Sequence, residues 1–256
     1  MFQHPKRSLG QNFLCDPQMC QRIVAAIPAS PEAPILEIGP GRGALTKVLV
    51  GRPGPIFVLE KDNDLARWVR SFFPGVGVIL GDGLEFCWEQ TAAMPGLSLV
   101  GNLPYNVASP MIWEMLSRCR AWHSMVFMVQ KEVALRLTAH AGSRTYGALS
   151  AWVANFALSS YLFTVPPQVF RPQPKVESAI VCFRPHPAPA WEERRALSLL
   201  LKRLFQQRRK QLGTILKAEW GNNMEAWCLE NRVDRSVRPE MLTPDQLRSL
   251  SAVFSK

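Results

Sequence analysis

The chain has 256 residues, 47% of them hydrophobic and 20% charged, and a formal net charge of +10 with a pI near 9.7. That composition excludes intrinsic disorder and suits one large domain plus a small one. A soluble chain this basic points to a polyanionic partner, either nucleic acid or an anionic membrane surface.

Asn12-Phe13-Leu14 leads into a short helix, Pro17 to Ala26, with Asp16 as its N-cap. After a loop from Pro28 to Pro34, strand and helix signals alternate. Strands are expected at 35–38, 56–59, 76–80, 97–100 and 124–129, and helices at 44–50, 64–72, 110–119 and 131–138. This alternation predicts an α/β fold with a doubly wound, mostly parallel sheet. Thr145 to Phe170 holds no charged residue and is long enough to cross a bilayer. Its Asn155, its serines and the Pro166-Pro167 pair favour instead a buried helix, 147–158, and a strand, 160–164. That strand and one at 178–183 form an antiparallel pair at one sheet edge. Pro185-His186-Pro187-Ala188-Pro189 is a stiff linker. Beyond it the pattern is helical: a basic helix from Trp191 to Leu216, a second over 224–231, and a third from Pro244, capped by Thr243. Residues 187–256 hold 13 Lys and Arg against 8 Asp and Glu, and residues 1–186 hold 17 against 12, so this last stretch carries half of the positive excess. The expected domains are residues 1–185 and 186–256. Cys15, Cys20, Cys87, Cys119, Cys182 and Cys228 show no CxxC spacing and do not cluster with His, which argues against zinc and for reduced, cytosolic thiols. The N-terminus lacks the apolar stretch of a secretory signal.

Four motifs fall at successive strand ends. Glu37-Ile38-Gly39-Pro40-Gly41-Arg42-Gly43 lets the backbone pass close to a ligand, with GxGxG rather than GxGxxG spacing. Glu60, about twenty residues on, can accept both hydroxyls of a ribose. Asp82, in Gly81-Asp82-Gly83, can reach an adenine amino group. These three indicate a nucleoside but do not separate NAD from S-adenosylmethionine (AdoMet). Asn102-Leu103-Pro104-Tyr105 separates them. Its amide and a main-chain carbonyl fixed by Pro104 can accept the two hydrogens of an exocyclic amine, and Tyr105 can stack on the base. That arrangement suits methyl transfer to an amine, with the target base splayed from its helix.

With Gly10-Gln11-Asn12-Phe13-Leu14 and Phe170–Ala179, these motifs resemble the ribosomal RNA adenine dimethyltransferases, most of all the bacterial branch. That branch dimethylates two adjacent adenosines near the 3′ end of small-subunit (16S) rRNA. The resemblance runs from about Lys6 to about Leu212, with a weaker echo over 238–244. It implies a Rossmann-like AdoMet-dependent methyltransferase domain with a small C-terminal helical RNA-binding domain. AdoMet would sit against Asn12, Leu14, Gly39, Gly41, Glu60, Asp82 and Asn102. Asn102, Leu103, Pro104 and Tyr105 would hold the target amine, and Phe170 would give the base a second stacking face. Lys6, Arg7, Arg171 and Lys175 would contact phosphates, as would Arg208, Arg209 and Lys210 on the first helix after the linker. The expected partner is the small ribosomal subunit, met by a cytoplasmic monomer that uses no metal and no membrane. Lys61, where the family commonly has an apolar residue, and Arg42, inside the glycine loop, depart from the pattern. Two rival readings are a large-subunit adenine methyltransferase of the antibiotic-resistance type and a non-catalytic ribosome-assembly factor. A nicotinamide dehydrogenase is disfavoured by the glycine spacing and the charge.

Overall fold

The structure, a computed structural model, describes residues 12–30, 32–186 and 191–254. In chain order, β1 (Phe13–Leu14) and α1 (Pro17–Ala25) precede β2 (Ile35–Ile38), α2 (Thr46–Leu49), β3 (Ile56–Glu60), α3 (Asn63–Phe72) and β4 (Gly77–Leu80). Then come β5 (Leu97–Asn102), α4 (Ala108–Arg118), β6 (Trp122–Gln130), α5 (Lys131–Leu137), α6 (Ala148–Phe156), β7 (Ala157–Val165), β8 (Phe170–Arg171) and β9 (Ser178–Pro185). The last helices are α7 (Trp191–Gln206), α8 (Leu212–Ile215), α9 (Asn222–Asn231) and α10 (Pro244–Phe254). Asp16 caps α1, its Oδ1 accepting from the Met19 N–H at 2.7 Å.

Seven strands form one sheet in the order β4-β3-β2-β5-β6-β9-β7. The pairs from β4 to β6 are parallel, and β9 runs antiparallel to β6. β2 is buried along its whole length and β5 along all but its last residue, as central parallel strands covered on both faces must be. The chain steps outward from β2 to β4, then returns to lay β5 on the other side of β2. Such a reversal opens a crevice at the carboxyl ends of the two strands. Gly101 makes the close approach possible: a Cβ there would stand 2.6 Å from the Ile38 carbonyl oxygen. β5 therefore continues two residues beyond the expected end, and Asn102 pairs with Met128. Two short strands escape any periodicity: β1 pairs antiparallel with β8, setting Phe13 opposite Arg171 and Leu14 opposite Phe170.

The helical part corrects the single boundary at 185/186. One compact unit runs to Ala134 and takes in Ser159–Pro185; the other joins Leu135–Leu158 to the chain from His186 onward. Tertiary hydrogen bonds give the reason. The Tyr146 hydroxyl donates to the Leu242 carbonyl at 3.2 Å, and the Gly142 N–H donates to the Glu240 carbonyl at 2.7 Å. α7 buries Leu197, Leu200, Leu201 and Leu204 on one face, the spacing of an amphipathic helix. Thr243 and Gln246 cap α10 reciprocally, side chain to backbone N–H, at 3.2 and 2.9 Å. The helix expected to run to Leu216 stops at Gln206. The Leu212 and Gly213 N–H groups donate to Val237 and Arg235 carbonyls rather than to a continuing helix. Thr145 to Phe170 splits into α6, β7 and a short 3-10 turn, and no helix among the described residues is long and apolar enough to cross a membrane.

Candidate active site

The four motifs meet at the carboxyl edge of the sheet, around a cavity of about 200 Å³. Gly39 follows β2 with φ +65°, a conformation that favours glycine, and a Cβ there would meet nothing within 4 Å. Its backbone thus faces open space. Glu60, at the end of β3, is buried. The Gly41 N–H donates to its Oε2 at 3.2 Å and the Asp62 N–H to its Oε1 at 2.8 Å. Burial pushes the Glu60 carboxyl above its ordinary range, and these two N–H groups moderate the shift. Asp82, after β4, accepts from the Leu84 N–H through Oδ1 at 3.0 Å and from the Lys61 ammonium through Oδ2 at 2.6 Å. Lys61 holds the Asp82 carboxyl below its usual range.

Asn102 closes the other side of the cavity. Its Nδ2 donates to the Asn12 carbonyl at 2.9 Å, which leaves Oδ1 as the atom able to accept from an amine. The Pro104 carbonyl already accepts from Val107 and Ala108 as α4 begins, and the buried Leu103 fixes the backbone before it. The Tyr105 hydroxyl shares a 2.6 Å hydrogen bond with Ser178 Oγ at the buried start of β9. Burial raises the Tyr105 phenol above its ordinary range, and the Ser178 hydrogen bond opposes the shift.

A cavity with acidic residues at two strand ends, facing an amide-Pro-Tyr turn, suits methyl transfer to the amino group of a base, and the comparisons give the family. Residues 2–256 match the family described as ribosomal RNA adenine dimethylase. The chain belongs to the ribosomal RNA adenine dimethylase family. It is similar to the ribosomal RNA small subunit methyltransferase A of Maridesulfovibrio salexigens, at 44% identity over 250 residues, covering 96% of this chain and 94% of that one. The Lawsonia intracellularis protein of the same name is 39% identical over 256 residues, covering 98% and 94%. Among solved structures, a dimethyladenosine transferase from Plasmodium falciparum has a TM-score of 0.73 at 24% identity, covering 92% and 94%. The 23S rRNA methyltransferase ErmE has a TM-score of 0.71 at 22% identity, covering 96% and 100%. These two show the shared fold. Membership of the dimethylase family makes the chain an AdoMet-dependent methyltransferase, and its cavity fits that cofactor. The buried carboxylate of Glu60, the partly exposed one of Asp82 and an open backbone at Gly39 suit a ribose, an adenine amine and an amino-acid tail.

Of the residues expected in the dimethylase site, Asn12, Leu14, Gly39, Gly41, Glu60, Asp82, Asn102, Leu103, Pro104 and Tyr105 all line the cavity. Phe170 does not. It is fully buried in the core with Leu14, Ile180 and Val165, and as placed it offers no face to a base. Arg171, the last residue of β8, and Lys175, in the loop after it, are both exposed, and Arg171 donates to the Gln168 and Phe170 carbonyls. Arg208, Arg209 and Lys210 lie in the turn after α7, not on the helix, because the helix ends at Gln206. Lys6 and Arg7 lie outside the described residues. Four contributors had no sequence-level role: Phe13, whose ring lies 4.7 Å from the Arg42 guanidinium; Ser178; the Lys61 pairing; and Glu37. Glu37 is buried beside the cavity, accepts from Thr46 Oγ1 at 2.6 Å, and is pushed by burial up to about 8. Two of them carried a signal: Glu37 as an acidic residue inside an otherwise apolar central strand, and Lys61 as a cation where the family commonly has an apolar residue.

Proposed function

We propose that the chain dimethylates the exocyclic amines of two adjacent adenosines near the 3′ end of small-subunit (16S) rRNA, during biogenesis of that subunit. The observation that carries the site assignment is the Asn102 amide. It is anchored through Nδ2 and keeps its oxygen available at the edge of the nucleoside cavity. Similarity near 40% over almost the whole chain to proteins named for the small subunit supports the choice of substrate. Bound in the cavity, AdoMet supplies an electrophilic methyl group. Asn102 Oδ1 and the Leu103 carbonyl accept the two hydrogens of the adenine amine, which turns the nitrogen lone pair out of conjugation. Both dipoles then favour the positive charge that develops on nitrogen. Tyr105, held by Ser178, stacks on the base. Catalysis is positioning in an in-line transfer, and the cationic product loses its proton afterwards. Gly39 and Gly41 take the methionine part, Glu60 the ribose and Asp82 the adenine amine, while Asn12 and Leu14 close over them. No metal enters this scheme, and we place the protein in the cytoplasm as a monomer.

The helical unit is the proposed RNA-binding part, with Arg171, Lys175, Lys6 and Arg7 as further phosphate contacts. Arg209 and Lys210 are exposed, whereas Arg208 is partly committed, donating to the Arg144 carbonyl at 2.9 Å and lying 3.8 Å from Glu240. Replacing Arg208, Arg209 and Lys210 together by Ala is expected to weaken subunit binding about tenfold and to lower the salt slope by about two, chiefly through the two exposed cations. Filter binding over a salt series measures both; an unchanged slope would make this turn a solvated face only.

Labelled AdoMet with small subunits from a strain lacking the modification, and large subunits as control, tests the function itself. Dimethyladenosine at an adjacent pair near the small-subunit 3′ end is the expected product. Label confined to large-subunit RNA would assign the chain to the resistance-type reaction. AdoMet binding without transfer to either would favour an assembly factor.

A further inference from the structure

At the Asp82 end of the cavity, both carboxylate oxygens already accept: Oδ1 from the Leu84 N–H at 3.0 Å, Oδ2 from the Lys61 ammonium at 2.6 Å. Glu60, the other acid of the cradle, faces backbone N–H donors. The Asp82–Lys61 pair therefore presents a carboxylate acceptor and an ammonium donor side by side, where Asp82 alone would present acceptors only. The Lys61 side chain is 58% exposed and rides on a flexible stem, so the pair is weak and displaceable. We propose that Lys61 sets the base specificity of the cofactor site. It competes with the 6-amino group of an adenine nucleoside for Asp82 and donates to the 6-oxo group of a hypoxanthine one. The chain then separates amino from oxo purines less sharply than Asp82 alone would, because a site built only to accept leaves the 6-oxo oxygen without a donor. The inference rests on the assignment of Asp82 to the adenine amine made above. The direction of both titrations fits a preformed pair: the carboxyl is held low and the ammonium high, each by the other.

Calorimetry on the full chain tests it, with S-adenosylhomocysteine and S-inosylhomocysteine as probes. Lys61→Met should bind the adenosyl compound about two- to fivefold more tightly than the native chain. It should bind the inosyl compound more weakly, so that the ratio of the two affinities widens about tenfold. Lys61→Gln, which can still donate to an oxo group, should fall between them on the inosyl probe. Lys61→Met binding the adenosyl compound no more tightly, or with an unchanged ratio, would overturn the role of Lys61 and leave the cofactor assignment standing. Absence of S-adenosylhomocysteine binding by the native chain would overturn that assignment and the inference with it.

Discussion

Asn102→Ala is expected to slow methyl transfer by about 10²- to 10³-fold, the loss seen when one preorganised dipole is removed from a developing charge. S-adenosylhomocysteine affinity should change only a few-fold, because Glu60, Asp82 and the glycine turn remain. The geometry makes Asn102 more than an acceptor. Its Nδ2 donates to the Asn12 carbonyl across 90 residues of sequence, so the segment just before β1 fixes the plane of the amide. Asn102→Asp separates the two duties: it keeps acceptor oxygens and loses the donor. If accepting from the amine dominates, Asp should retain more activity than Ala. If orientation dominates, the two should fall alike. Single-turnover transfer to small subunits, paired with calorimetry, gives both numbers. Normal turnover by Asn102→Ala would remove the assigned role.

The sheet was legible because its central strands are short apolar runs bounded by Gly, Pro and acidic residues, and burial on both faces leaves few alternatives. β2 was read with its observed ends, and β3 and β4 within a residue at each end. The cavity residues were legible for a related reason: ligand chemistry at strand ends demands particular residue types at particular offsets. The rest depends on contacts that no local pattern encodes. β1 and β8 are two residues each and exist only because they pair with each other. The helical pattern reads through Leu216, yet α7 stops at Gln206, and Leu212 and Gly213 start α8 with their N–H groups turned to the 235–237 segment. Tertiary hydrogen bonds override a weak helical preference in such a stretch. The residues 135–158 look like part of the first domain by position, but Tyr146 and Gly142 fasten them to 240–242. The resemblance implies that Phe170 stacks on the target base, yet its ring is buried in the core with Leu14. A side chain's direction at the end of a two-residue strand is set by its partner, which the sequence does not name.

Glu37→Gln is expected to remove a loss of stability that grows as pH rises. The Glu37 carboxyl is fully enclosed, and burial pushes it from an ordinary 4.5 up to about 8, with the nearby Glu60 adding to the shift and Thr46 opposing it. At a pH below the ordinary value, both folded and unfolded chains hold the proton and burial of this group costs little. As pH rises, the unfolded chain releases the proton first, so stability falls until the folded carboxyl also ionises near its raised value. At pH 7 the accumulated loss is about 3 kcal/mol. A Gln at 37 stays neutral throughout and can still accept from Thr46 Oγ1, though its amide N–H groups want an acceptor, at about 1 kcal/mol or more if none is found. The variant should therefore be no more stable than the native chain at pH 5 and about 3 kcal/mol more stable at pH 8. Urea unfolding at both values measures the difference, and other titrating groups cancel in it because both proteins carry them. Parallel profiles for the two proteins would mean that Glu37 ionises freely despite its enclosure. A crossing of the two would locate an acid held neutral beside the cofactor cavity, where burial has been tolerated at the expense of stability.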